Sequence, residues 1–176
     1  MPAKNCVTQS DNSHGKAFEK LTNSAFNPLH LQLPMTWERI VDSAAAGNFI
    51  TAREADFRMR IKSALRGQPY EFLIECKAST IDTTFAKCFK RLIGEKQLPK
   101  MRLAVRAGAI GLYFFYSVTT DEIEIWDFQQ VAKAYYEKRV KFEEVPRYLV
   151  AGKNYLYFAR QMVEKPYRFI RDILGG

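Results

Sequence analysis

At 176 residues the chain is one domain of ordinary size, and its 47% hydrophobic and 14% aromatic content is enough for a packed core. Twenty-seven basic against nineteen acidic residues leave a charge of +8 and a pI near 9.4, a balance that favours nucleic acid or an anionic membrane surface as partner. No apolar run reaches the ~18 residues of a membrane span and no signal-peptide core opens the chain, so a protein acting in solution, without a membrane partner, is expected.

Met1 to Ser13 is polar and without periodicity and reads as a flexible arm, taken as residues 1–14. From Gly15, the stretch GKAFEKLTNSAF places Phe18, Leu21, Thr22, Ala25 and Phe26 at helical spacing, with Ser13 as N-cap. Glu19 stands at the edge of that apolar stripe, either turned inward or solvated in the first turn. Asn27 to Met35, with Pro28 and Pro34, reads as a loop, and His30 as a loop or capping histidine. Thr36 is expected to cap a short helix with Trp37, Ile40, Val41, Ala44 and Ala45 on one face, ended by Gly47. Asn48 to Ala52 then supplies a strand.

Asp56 to Lys77 concentrates the chemistry. Phe57, Met59 and Ile61 alternate with Asp56, Arg58 and Arg60; Tyr70, Phe72, Ile74 and Cys76 alternate with Glu71, Leu73, Glu75 and Lys77. Between the halves, Ser63, Arg66-Gly67 and Gln68-Pro69 are turn chemistry. An antiparallel hairpin centred between Leu65 and Arg66 sets Asp56 opposite Glu75, with Lys77 one step beyond on the same face as Glu75. Two hard oxygen ligands side by side suit Mg²⁺ or Mn²⁺, which keep waters in the rest of their shell. Such an ion polarises a phosphodiester oxygen and lowers the pKa of a bound water. The lysine positions that water or offsets charge in the transition state. Cys76 falls on the apolar face. With Cys6 and Cys88 it makes an odd set without a CxxC pair, which argues for a reducing cytoplasm rather than disulfides or zinc.

After a connector at Ala78 to Ile81, Asp82 or Thr83 caps a long helical stretch with Phe85, Cys88, Phe89 and Leu92 on its buried stripe. Pro99 ends or kinks it, and a second part runs to Gly108 with Met101 and Val105 inward. Lys87, Lys90, Arg91, Lys96, Lys100, Arg102 and Arg106 make this stretch strongly basic, as a solubilising face or, beside a metal site, as a phosphate track. Ala109 to Val118 is apolar on both faces, a central strand. A turn at Thr119 to Glu122 leads to a strand at Ile123 to Phe128 and a helix at Gln129 to Arg139. This order predicts an α/β fold, a mixed sheet flanked by helices. Val140 to Gly176 interleaves Tyr148, Tyr155, Tyr157 and Tyr167 with Arg147, Lys153, Arg160 and Arg168. Aromatics at that density pack on the parent sheet, or stack on exposed bases beside a tracked backbone.

Asp56 followed by Glu75-Cys76-Lys77 across a hairpin resembles the metal site of the PD-(D/E)xK nucleases, with Glu54-Ala55 where a proline usually precedes the aspartate. Gly15-xxx-Glu19, Gln97-xxx-Met101 and Gly108 before an apolar strand extend the likeness. From about Gly15 to Trp126 the order of landmarks is similar to the RecU-type Holliday junction resolvases of that superfamily. The resemblance implies a restriction-endonuclease-like core, here over residues 15–139, with the basic, aromatic segment 140–176 packed on it. It implies a homodimer that cuts four-way DNA junctions, with Mg²⁺ or Mn²⁺ in each subunit, in the nucleoid or the cytoplasm of a phage-infected host. Asp56 and Glu75 would ligate the metal, Lys77 would serve the attacking water, Glu19 would approach the metal through a water, and Gln97 would orient the lysine or the scissile phosphate. Arg58, Arg60, Lys87, Lys90, Arg91, Lys96 and Lys100 are the expected DNA contacts.

The interval from Glu19 to Asp56 is short for the bacterial enzymes, so Trp37 to Phe49 would have to form the projection that enters a junction, as in a compact viral version of the family. Two alternatives stand beside this reading: a same-fold nuclease acting on restriction-type, flap or fork DNA, and a DNA-binding module that cuts nothing. Only His14 and His30 exist, neither in metal-ligand spacing, and no glycine-rich loop carries Lys-Ser/Thr. Histidine-based nuclease schemes and a nucleotide-dependent ATPase are thereby disfavoured.

Overall fold

The computed structural model describes residues 10–40, 55–63, 67–80, 84–93, 97–137 and 145–174. Strands β2 (Phe57–Ile61) and β3 (Tyr70–Ser79) pair antiparallel, Phe57 opposite Ile74 and Ile61 opposite Tyr70. This is the register expected for a turn centred between residues 65 and 66. The cause is burial: Phe57, Met59, Ile61, Tyr70, Phe72 and Ile74 all enter one core, and a slip by one residue would turn every one of them to the other face.

Around this hairpin the chain builds a mixed six-stranded sheet in the order β1-β2-β3-β4-β5-β6, with β1 (Met35–Arg39), β4 (Ile110–Ser117), β5 (Glu122–Asp127) and β6 (Arg147–Ala151). Only β3 and β4 run parallel. The crossover between them carries α2 (Phe85–Leu92) and α3 (Gln97–Arg106), as a parallel connection requires. Helices α1 (Ser10–Phe26), α5 (Tyr155–Glu164) and α6 (Pro166–Leu174) cover one face through Phe18, Phe26, Tyr155, Phe158 and Phe169. Helices α2, α3 and α4 (Phe128–Tyr136) cover the other through Phe85, Leu98, Met101, Phe128 and Val131. The fold class is thus α/β, a mixed sheet flanked by helices, and β4 is apolar on both faces because both are covered. No helix among the described residues is long and apolar enough to cross a membrane.

Several elements differ from expectation. Met35–Arg39 is a strand, not the start of a helix. Met35 pairs with Ile61 and Trp37 with Met59, and the Trp37 ring stacks between Phe26 and Phe57, with centroids 4.8 Å from each. Its Nε1 donates to Asn23 Oδ1 at 2.8 Å. Val41, Ala44, Ala45, Gly47 and the expected strand at Asn48 to Ala52 lie outside the described residues, as do Asp82 and Thr83. Helix α1 begins at Ser10, so Ser13 lies inside it rather than capping it. Asn27–Leu31 is a 3₁₀ turn with Pro28 at its start, and the His30 ring donates to the Asn27 carbonyl. Helix α2 ends at Leu92, and Pro99 falls in the first turn of α3, where a missing N–H costs nothing. The last segment contributes a sixth strand as well as helices.

Gly111 shows how closely the helices approach the sheet. A Cβ there would lie 2.7 Å from Phe128 Cβ and 3.1 Å from Val105 Cγ2. Gly111→Ala is expected to destabilise the fold by about 1–3 kcal/mol through overpacking, read as a lower midpoint in urea unfolding.

Glu124 on β5 gives the fold a pH dependence. It is buried under α2, accepts from the Phe85 backbone N–H at 3.4 Å and from Trp126 Nε1 at 3.0 Å, and lies 3.7 Å from Arg147 Nε. Burial raises its pKa above the ordinary 4.5 despite these partners. The folded state therefore holds this proton more tightly than the unfolded chain. Its contribution is complete below the ordinary value and is lost as pH rises through the folded one. The stability of wild type relative to Glu124→Gln should fall as pH rises above the ordinary carboxylate value, measured by denaturant titration at a series of pH values.

Candidate active site

Asp56 precedes β2 and is fixed from three sides. Its N–H donates to the Ile74 carbonyl at 3.1 Å, its carbonyl accepts from the Ile40 N–H at 2.9 Å, and its Oδ2 accepts from the Cys76 N–H at 2.7 Å. The side chain thus takes a β3 amide at the point where the β2 ladder ends. Only 1% of Asp56 is exposed, and the same holds for Glu75.

Glu75 Oε1 accepts from Lys77 Nζ at 2.5 Å, because residues two apart on a strand share a face. Glu75 Oε2 is buried with no hydrogen-bond partner among the described residues. Tyr113 stands opposite Glu75 in the parallel ladder, and its hydroxyl too is buried without a partner among them. Burial, then the Glu75 charge, then Tyr136, push the Tyr113 phenol far above its usual range.

A buried carboxylate oxygen without a donor is costly. With Lys77 on the other oxygen of the same carboxylate and Asp56 Oδ2 on the amide of the next residue, the chemistry of this donor set fits a hard divalent cation. Among the described residues no three Asp, Glu, His or Cys side chains converge as a metal site. Among the described residues the candidate protein ligands are therefore Asp56 and Glu75, and Mg²⁺ commonly binds with one or two carboxylates and several waters.

The other expected site residues are placed as follows. Glu19 accepts from Arg39 NH2 at 2.8 Å and is not gathered with Asp56 and Glu75 into a ligand group. The reason is sidedness: α1 packs on the Phe57 and Cys76 face, and Glu75 points to the face of Tyr113. Burial first, then Asp56, with smaller contributions from Glu75 and Glu19, raise the Cys76 thiol pKa against the Thr22 hydrogen bond. Gln97 opens α3, and its side chain lies outside the described residues, as do the side chains of Lys90 and Arg91 and the whole of Lys96. Lys87 is exposed on α2 and Lys100 half-buried on α3. Arg58 and Arg60 pair with Glu71 at 3.1 and 3.4 Å, which spends part of their charge within the hairpin.

Sequence reasoning missed Tyr113. The available signal was a polar tip inside a strand apolar on both faces.

No protein-family profile matches the chain, and no curated protein sequence matches it. Among solved structures the chain is similar to D212, a nuclease from a fusselovirus, at 12% identity and a TM-score of 0.40 over 95% of this chain and 98% of that one.

Proposed function

We propose that this chain is a metal-dependent, structure-selective DNA endonuclease that hydrolyses phosphodiester bonds, with four-way junctions as preferred substrate and a homodimer as the working unit. The observation that supports the reading is the buried Glu75 carboxylate, with Lys77 on one oxygen and no donor on the other among the described residues, next in the chain to the Cys76 amide that holds Asp56 Oδ2.

Asp56 and Glu75 hold the divalent ion in this reading. When bound, Mg²⁺ or Mn²⁺ supplies positive charge to a phosphodiester oxygen and makes a water more acidic. The hydrogen bond from the Cys76 N–H fixes the Asp56 carboxylate before substrate arrives, which is preorganisation rather than induced order. Lys77, about a quarter exposed, keeps its ammonium at the mouth of the site, where it orients the attacking water and offsets charge growing on the phosphoryl oxygens. The net charge of +8 draws the polyanion in. Symmetric cuts need two such sites, one from each of two copies.

One observation favours a second reading, a same-fold nuclease acting on forks, flaps or plain duplex. Met35–Arg39 is part of the sheet, which takes Trp37 to Arg39 out of the expected junction-entering projection. A panel of labelled duplex, flap, fork and four-way DNA with Mg²⁺ separates the two. Paired, symmetric cuts confined to the four-way substrate are expected. Equal cutting of duplex and junction removes the junction preference, and absence of cutting with either metal removes the nuclease.

A further inference from the structure

Among the described residues most arginines are tied to carboxylates: Arg39 to Glu19, Arg58 and Arg60 to Glu71, Arg147 to Glu124, Arg160 to Glu164, Arg168 and Arg171 to Asp172. Those surfaces carry little net field. One groove differs. Between α3 and α4, Arg102, Arg106 and Lys133 line a cleft in which Glu137 is the only carboxylate among the described residues. Among the described residues none of these three cations has an ion pair.

The same groove holds Tyr136, half of it exposed, with the Arg102 guanidinium 5.6 Å from its ring centroid and the Tyr135 ring edge-on at 5.2 Å. Phe128 lines it too, and Phe128 packs on Tyr113 with centroids 6.2 Å apart. Tyr113 is the residue opposite Glu75. The groove therefore adjoins the candidate active site on the same face of the sheet.

We infer that this groove is a track for one nucleic-acid strand with unpaired bases, its phosphates taken by Arg102, Arg106 and Lys133 and one base stacked on Tyr136. The inference rests on the DNA-processing reading and adds the substrate feature which that reading leaves open. Arg102 and Arg106 are four residues apart on α3, so they stand on one side of the helix about 5–6 Å apart at their Cβ atoms, a spacing suited to successive charges of an extended polyanion. An exposed tyrosine braced by a guanidinium presents an ordered ring to a base without choosing its identity. A duplex hides its base faces, so stacking here requires a single-stranded portion such as a fork arm or a frayed junction.

Fluorescence anisotropy with the full chain in EDTA reads binding without cleavage. The probes are an oligo-dT of about 15 nucleotides and an abasic oligomer of the same length. Tyr136→Ala is expected to weaken oligo-dT on the order of tenfold and to leave the abasic oligomer unchanged, and Tyr136→Trp restores binding. Arg106→Ala and Lys133→Ala should weaken both probes alike, each reducing the salt slope by roughly 0.7, and Arg102→Ala should weaken both but oligo-dT more, because it also removes the brace on Tyr136. Equal weakening of both probes by Tyr136→Ala overturns the assignment. So does unchanged binding in all four variants, or displacement of oligo-dT by an acidic peptide as effective as unlabelled oligo-dT. Failure of the nuclease reading is read elsewhere, as absence of cutting by the wild-type chain with Mg²⁺ or Mn²⁺, and leaves this binding result distinguishable.

Discussion

Asp56→Asn, Glu75→Gln and Lys77→Ala are each expected to cut every DNA substrate at least about a hundredfold more slowly than wild type, the scale for losing one preorganised charge at a reacting centre. The folded states should respond in different directions, and that contrast separates lost chemistry from lost structure. Asp56→Asn keeps an oxygen to accept the Cys76 N–H at the position now 2.7 Å away, so its core contacts survive. Glu75→Gln replaces a buried charge that has one oxygen without a donor by an amide that keeps an acceptor for Lys77 and gains donors. Its metal-free stability should match or exceed that of wild type. Lys77→Ala does the reverse, removing the cation 2.5 Å from a carboxylate that is 1% exposed, and should lower metal-free stability. Three variants equally dead, with stabilities moving in opposite directions, cannot be explained by unfolding. Cleavage surviving in both Asp56→Asn and Lys77→Ala would put the chemistry elsewhere on the chain.

How much of this is legible in the sequence depends on where the deciding partner sits. The hairpin register is legible because six apolar residues at alternate positions define one face. Strand β4 is legible because only a strand covered on both faces carries a run such as Ile110 to Tyr116. Met35–Arg39 is not. Trp37 and Ile40, three apart, also fit a helical stripe, and the pairing of Trp37 with Met59, far along the chain, decides the matter. The role of Glu19 is hidden for the same cause, since its partner Arg39 belongs to that strand. Strand β6 lies at the sheet edge with Arg147, Tyr148 and Leu149 exposed, so it lacks the alternation that burial imposes. The break before α3 precedes its proline, because proline is tolerated in a first turn as readily as beyond a last one. The groove pairing Tyr136 with Arg102 joins two helices separated by a whole β-hairpin, and no local pattern announces such a meeting.

A divalent ion is expected to raise the unfolding temperature of the wild-type protein and to leave Glu75→Gln unmoved. Among the described residues the Glu75 Oε2 atom and the Tyr113 hydroxyl are both buried without protein partners, and a buried polar group left unsatisfied costs about 1–3 kcal/mol. An ion held by Asp56 and Glu75, as proposed, would relieve the carboxylate part of that cost and bind the folded state alone, where Asp56 Oδ2 is fixed on the amide of the residue after Glu75. At a hundredfold excess over its Kd the stabilisation is about 2.7 kcal/mol, a rise on the order of 5–10 °C for a chain of this length. Differential scanning fluorimetry with Mg²⁺ and Mn²⁺ measures it without any DNA. Tyr113→Phe removes the second orphan group, not a ligand, so it should raise the metal-free unfolding temperature and keep the response to the ion. A response persisting undiminished in both Asp56→Asn and Glu75→Gln would locate the ion elsewhere and take away the chemical basis for cutting. A response lost in those two and retained in Tyr113→Phe would assign the ion to the carboxylate pair whatever DNA the protein acts on.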